Sequence, residues 1–354
     1  MAAQKDTRMH RSEARRQQGV ALLAVLWVTV ALSVIAMTTA AMVRTEAAAV
    51  TNRLESERGY YLARGGVEAA IYAMLHPSSV QPGAIAAADE FHPGQRFIRF
   101  DSADGLVVVE IVPENAKLSI NQAPADQLAA LFALLDETPE ASRELADAIV
   151  DWRVPSRSSV DSPFDLFYAA LPEPYSAPHI GFQELDELLA VKGMSRDLFF
   201  GRLVETPEGA WRRLPPLADL LTTEPNPYGI NLHYAPEEVL SVQPGWDAAL
   251  AEEVVRVRAQ TAFVSLEQMQ ADIPRLATVS SLTPLTLAPY MVYTLTATVW
   301  LGDSSFPVRT VRARVRLDRA LPLAHRVLAW WSDWPWSPAA TPEGVVDARG
   351  GSRS

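Results

Sequence analysis

The chain of 354 residues contains no cysteine, which excludes disulfide staples, thiolate metal sites and thiol nucleophiles together. It also lacks a P-loop, a dinucleotide-binding glycine fingerprint and a Gly-x-Ser-x-Gly elbow, so no enzyme and no small-molecule substrate is announced. Histidine is sparse: residues 10, 76, 92, 179, 233 and 325 include no i, i+4 pair and no acidic companion at zinc spacing. Each reads as a surface or cap residue. Positive charge is in short supply, with 31 Lys and Arg against 42 Asp and Glu, a net of -11 that repels phosphate backbones and acidic lipid surfaces. What is plentiful is apolar surface, 49% of the residues, in a length that accommodates two ordinary domains with buried cores.

After Gly19 the chain runs without a charge over residues 20–43. At about 1.5 Å per helical residue this run reaches roughly 36 Å, enough to cross a hydrocarbon core of about 30 Å. Before it, Lys5, Arg8, Arg11, Arg15 and Arg16 outnumber Asp6 and Glu13, and such a basic flank stays on the cytoplasmic side. A secretory signal peptide, an ordinary membrane anchor and a cleaved leader share these features. The apolar stretch of a signal peptide, about 7 to 15 residues, is shorter than this one. Past the run, Ala47, Val50, Leu54, Tyr61, Gly65, Ala69, Tyr72 and Leu75 recur at spacings of three, four or seven, the stripe of an amphipathic helix. One helix of about 55 residues is expected over 20–76, half in lipid and half with one buried face.

Two strands joined by a turn at 101–105 are expected over 96–100 and 106–112. Two more, 291–301 and 307–317, alternate Tyr293, Leu295, Ala297 and Val299 with Thr294, Thr296 and Thr298, and Val311, Ala313 and Val315 with Arg312, Arg314 and Arg316. Each predicts one buried and one wet face. Residues 326–336 add a candidate edge. The sheet is thus divided by an insert, 116–280, with an internal repeat: Ile120-Asn-Gln-Ala-Pro124 recurs as Ile230-Asn-Leu-His-Tyr-Ala-Pro236, and the segment 145–153 recurs as 250–258. In each copy the asparagine is expected to cap a helix opening after the proline.

Helix pairs of this sort look like the helix-hairpin-helix modules of DNA receptors, which gives a rival reading as a membrane-anchored DNA or substrate receptor. The candidate hairpins at 136–139, 191–195 and 244–247 each lack the second glycine of a phosphate-cradling turn. The insert carries 25 acidic and 12 basic residues, a net of -13 that opposes nucleic-acid binding.

The run RRQQG followed by VALLAVLWV resembles the leader of type IV pilin-like proteins. The resemblance implies that prepilin peptidase cuts after Gly19 and that Val20 becomes the N-methylated mature N-terminus. It also places Ala24 where most of that superfamily carries glutamate. A missing glutamate, the segment GYYLARGGVEAAIYAML at 59–75, the asparagine-proline repeats, the segment 167–175 and the ending 325–334 together resemble the minor pseudopilin K family of type II secretion systems. A carboxylate in a bundle of apolar helices needs a positive partner such as a neighbour's amine. A subunit with no neighbour above it does not.

The resemblance implies an α+β protein of type IV pilin-like fold, a long N-terminal helix packed on an antiparallel sheet, with an all-helical domain inserted between strands. Its parts are a leader at 1–19, the long helix at 20–76 with 20–43 in the membrane, sheet at 77–115 and 281–336, the insert at 116–280 and a flexible tail at 337–354. It further implies a non-enzymatic minor pseudopilin of the inner membrane with a periplasmic globular part, at the tip of a fibre whose assembly for protein export it primes. The partners implied are minor pseudopilins I and J and the major pseudopilin G, with no nucleic acid. Members of this family bind calcium near an Asp-Trp pair. Asp151-Trp152 is present but continues Arg-Val-Pro-Ser-Arg, leaving Asp151, Asp161 and Asp165 as candidate oxygen donors beside the reading as a solvated acidic loop.

Overall fold

The computed structural model describes residues 3–76, 94–155, 161–205, 209–261, 263–302 and 304–335, with side chains described from residue 22 onward. The tail at 337–354 lies outside the described residues. The chain forms two compact units, Met1–Arg58 and Gly59–Ser354.

Helix α1 (Ala3–Leu75) begins before the expected start at residue 20 and supplies everything described in the first unit. From residue 20 to Arg58 the sequence has neither proline nor glycine, so nothing interrupts the helical ladder. The polar side chains of the apolar stretch are satisfied within the helix: Thr29, Ser33, Thr38 and Thr39 donate to carbonyls three or four residues back. Every side chain from Leu22 to Val43 is exposed, and the helix is long and apolar enough to cross a membrane.

In the second unit, β1 (Phe97–Ser102) turns directly into β2 (Gly105–Pro113). The Ser102 hydroxyl accepts from the amides of Asp104 and Gly105, an arrangement that pins the tight turn. A side chain at 105 would meet the Trp300 carbonyl at 2.3 Å, so only glycine fits there.

The insert follows. Its first part holds β3 (Leu118–Ser119), α2 (Ala125–Leu134), α3 (Pro139–Arg153), α4 (Pro163–Ala169), α5 (Arg196–Phe200), β4 (Leu203–Glu205) and β5 (Trp211–Arg213). Its second holds α6 (Leu217–Leu220), β6 (Leu221–Thr222), β7 (Ile230–Asn231), α7 (Glu237–Ser241), α8 (Ala248–Gln260), α9 (Leu266–Asp272), α10 (Arg275–Val279) and β8 (Leu285–Thr286). The chain then returns as β9 (Val292–Leu301), β10 (Arg309–Leu317) and β11 (His325–Trp331).

Five strands form one antiparallel sheet in the order β1-β2-β9-β10-β11. On one face Val109, Ile111, Leu295, Ala297, Val311 and Ala313 pack with Ala63, Val67, Ala70 and Ile71 of α1. Each large apolar side chain so buried contributes about 1.5–3 kcal/mol. The face of α1 that meets the sheet is not the expected stripe. Tyr61 and Tyr72 point outward at 64% and 53% exposure, whereas Gly59, Ala63, Gly66 and Ala70 are buried. Small residues win that face because they let the helix approach: a Cβ on Gly66 would lie 2.6 Å from Val107 Cγ1.

The expected wet face of the sheet is buried as well. Thr294, Thr296, Thr298, Arg312 and Arg314 are each 7% exposed or less, because the insert covers them. Alternation reported which face is apolar, and could not report what lies over the other. Arg312 pairs with Asp219 at 2.6 Å and lies 3.8 Å over the Trp334 ring, while Arg314 pairs with Glu184 at 3.0 Å.

The insert is also not all-helical: β3 pairs with β6, β4 with β5 and β7 with β8. Two of these pairings are parallel and mark the repeat, β3 with β6 ahead of α2 and β7 with β8 ahead of α7. Asn121 and Asn231 do not cap the helices, whose N-cap positions are Pro124 and Pro236. Asn121 donates to the Phe182 and Thr223 carbonyls and Asn231 to that of Ala288, tying distant loops together. The repeat's arginines do matching work: Arg153 donates to the Ile120 and Ala123 carbonyls, and Arg258 to that of Leu232. Burial, with the nearby Arg96, pushes Arg258 down to about 10.

Candidate functional site

Three places carry residues singled out above. The first is the start of α1, where Gly19 and residue 20 lie in helix and Ala24 is exposed among apolar neighbours. No carboxylate stands between residue 20 and Val43 to need a partner in an apolar bundle.

The second is a buried polar cluster where the chain leaves β2. The Glu114 carboxylate lies 2.7 Å from the Lys117 ammonium and accepts from the hydroxyls of Thr222 and Thr294. Both charged side chains are almost fully enclosed, at 1% and 4% exposure. Burial pushes the Glu114 carboxyl up, but Lys117 and the hydroxyl donors outweigh it and hold the group below its ordinary range. The pair ties β9 to the insert and is read as structural.

The third is built by α3, α4 and the loop after them. Asp151 sits in the last turn of α3, next to the buried Trp152, whose ring stands against Tyr168 and Phe182. Asp165 lies in the first turn of α4, where it and Ser162 form a reciprocal capping box. His179 occupies a left-handed backbone conformation, φ 50°, that turns its ring back between the two helices. Carboxylate oxygens of Asp151 and Asp165 and a ring nitrogen of His179 all lie within 4.8 Å of one another. Burial raises the Asp165 carboxyl, yet the Ser162 amide and His179 bring it below the ordinary value. Burial likewise lowers the His179 ring, and the Asp151 carbonyl with the Asp165 carboxylate more than reverses that.

Asp161, the third candidate oxygen donor, is exposed and does not join this group, and His179, read as a surface or cap residue, takes its place. Its partners are 28 and 14 residues away in sequence, so no local spacing could announce it. Calcium takes six to eight oxygen ligands, and two carboxylates with an imidazole do not fit that demand.

At the hairpins of the rival reading, Asp136, Gly193 and Gly245 do adopt left-handed conformations. The lysine there is engaged: Lys192 pairs with Glu144 at 2.7 Å and lies 4.9 Å from the Phe167 ring.

Residues 105–200, from β2 through α5, match the family described as type II secretion system (T2SS), protein K. None of the curated proteins matches the chain. Among solved structures, a chain of the GspK-GspI-GspJ complex from the type 2 secretion system of enterotoxigenic Escherichia coli is similar, with 17% identity and a TM-score of 0.49, over 80% of this chain and 98% of its own. The stretch 105–200 that matches this family includes the whole Asp151–Asp165–His179 group.

Proposed function

We propose that the chain is a minor pseudopilin, of pilin-like fold, that forms part of the tip of the type II secretion pseudopilus and primes its assembly for protein export across the outer membrane. Prepilin peptidase removes residues 1–19, Val20 becomes the methylated N-terminus, and residues 20–43 hold the subunit in the inner membrane with the globular part periplasmic. Minor pseudopilins I and J and the major pseudopilin G are its partners, and the role requires no catalytic step.

One observation carries this reading: a single helix that is bare and uncharged from Leu22 to Val43 and beds one face of its far end on an antiparallel sheet, in a chain whose residues 105–200 match the protein K family. Such a helix has a membrane half to be extracted and a globular half that stays folded. Ala24 suits a tip subunit, because no carboxylate there awaits the amine of a subunit above. The insert over 116–280 adds bulk to the globular part, which favours an end position over the shaft of a bundle.

The test is replacement of Gly19 by a bulky residue. The full-length precursor is expected to accumulate on a blot and export of the system's substrates to stop. Normal processing of that variant would remove the leader assignment, and uninterrupted export without the chain would remove the function.

A further inference from the structure

The His179 ring poses a chemical question that its neighbours narrow to two answers. Nδ1 lies 3.0 Å from the Asp151 carbonyl oxygen, which can only accept, so Nδ1 carries a proton. Nε2 then faces Asp165 Oδ1, another acceptor, at 3.1 Å. A nitrogen lone pair and a carboxylate oxygen do not rest against each other at that distance unless something positive stands between them. The positive centre is a second proton or a metal ion.

The surroundings favour the metal. The Asp151 carboxylate joins the same small volume, giving three ligand atoms within 4.8 Å. For a tetrahedral ion with bonds of about 2.0–2.2 Å, two ligands lie about 3.4 Å apart, close to the Nε2–Oδ1 separation. Further contacts anchor all three side chains. Asp151 Oδ2 accepts from the Ser162 hydroxyl at 3.0 Å, Asp165 Oδ2 from the Ser162 amide at 3.1 Å, and Nδ1–H is held by the carbonyl. Outer contacts of this kind fix the orientation of metal ligands and the tautomer of a ligating imidazole. The side chains of His179 and Asp165 are 21% and 19% exposed, so an ion could enter and keep a water ligand.

We propose that Asp151, Asp165 and His179 bind a divalent first-row transition-metal ion, zinc foremost, at the place where the family resemblance points to calcium. One nitrogen and two carboxylates are a borderline donor set that suits zinc or cobalt, and calcium's preference for oxygen disfavours the imidazole. The bound ion joins the end of α3, the start of α4 and the loop carrying His179, a metal clip across the insert.

The test uses the full-length chain in detergent, freed of metal by a chelator and melted with zinc, calcium or neither. Zinc is expected to raise Tm by about 5 °C, and calcium to leave it unchanged. Cobalt, bound in zinc's stead, should give a visible absorption band. His179→Gln and Asp165→Asn should each abolish the zinc shift and the band, while Asp161→Asn keeps both. Should either ligand variant fail to fold, the cobalt band and the zinc-against-calcium comparison on the unaltered chain still decide. A calcium shift as large as zinc's overturns the proposal, as does a zinc shift that survives His179→Gln. Absence of any metal shift and of the cobalt band also overturns it, and leaves a proton as the bridge.

Discussion

Two adjacent glycines of α1 show how finely single positions are set. A Cβ on Gly65 meets nothing within 4 Å, so Gly65→Ala should stabilise the chain by up to about 1 kcal/mol through helix propensity. Gly66→Ala should instead destabilise by about 1–3 kcal/mol, because its Cβ would press on the stiff Val107 side chain. Urea unfolding of the two variants reads opposite signs. Glu114 carries the pH dependence. Its folded value lies below the ordinary 4.5, so its contribution is complete above that pH and is lost as the pH falls through the lower folded value. Glu114→Gln strands the Lys117 ammonium in the interior, which should cost about 3–5 kcal/mol at neutral pH and flatten the acid limb of a Tm-against-pH curve.

At the scale of elements, the two faces of α1 divide the labour. The small-residue face is occupied by the sheet, and Tyr61 and Tyr72 remain exposed on the other side. In the pseudopilin reading that side meets partner helices. Tyr61→Glu with Tyr72→Glu should therefore leave Tm nearly unchanged while abolishing co-purification with the partner pseudopilins; a large fall in Tm would show that the face is structural. The strands were legible because Tyr293, Leu295 and Ala297 alternate with threonine, a period of two that only a strand presents to one layer. The stripe of α1 was misread because size, and not hydropathy alone, chose its packed face. The burial of Arg312 and Arg314 was unreadable for another reason: Asp219 and Glu184 come from the insert, roughly a hundred residues away. Asp151 and Asp165 could be named from the sequence, whereas His179 reaches them only through a left-handed turn and the fold of the loop.

For the whole molecule, the pairing of β2 with β9 governs folding and tolerance alike. Val109 lies opposite Ala297, so the central ladder forms only after a long closure, and non-local pairing of that kind slows folding. The same register sets Pro113 directly opposite Tyr293. The excursion that separates them begins and ends at one doorway, and its removal asks the chain merely to bridge neighbouring strands. Replacing residues 114–292 by a short hairpin turn should leave the helix and five strands folded, with the same strand order by amide exchange. The threonines and arginines then bared are residues that water accepts. A lineage could have acquired this insert late, or could shed it, without dismantling the platform beneath.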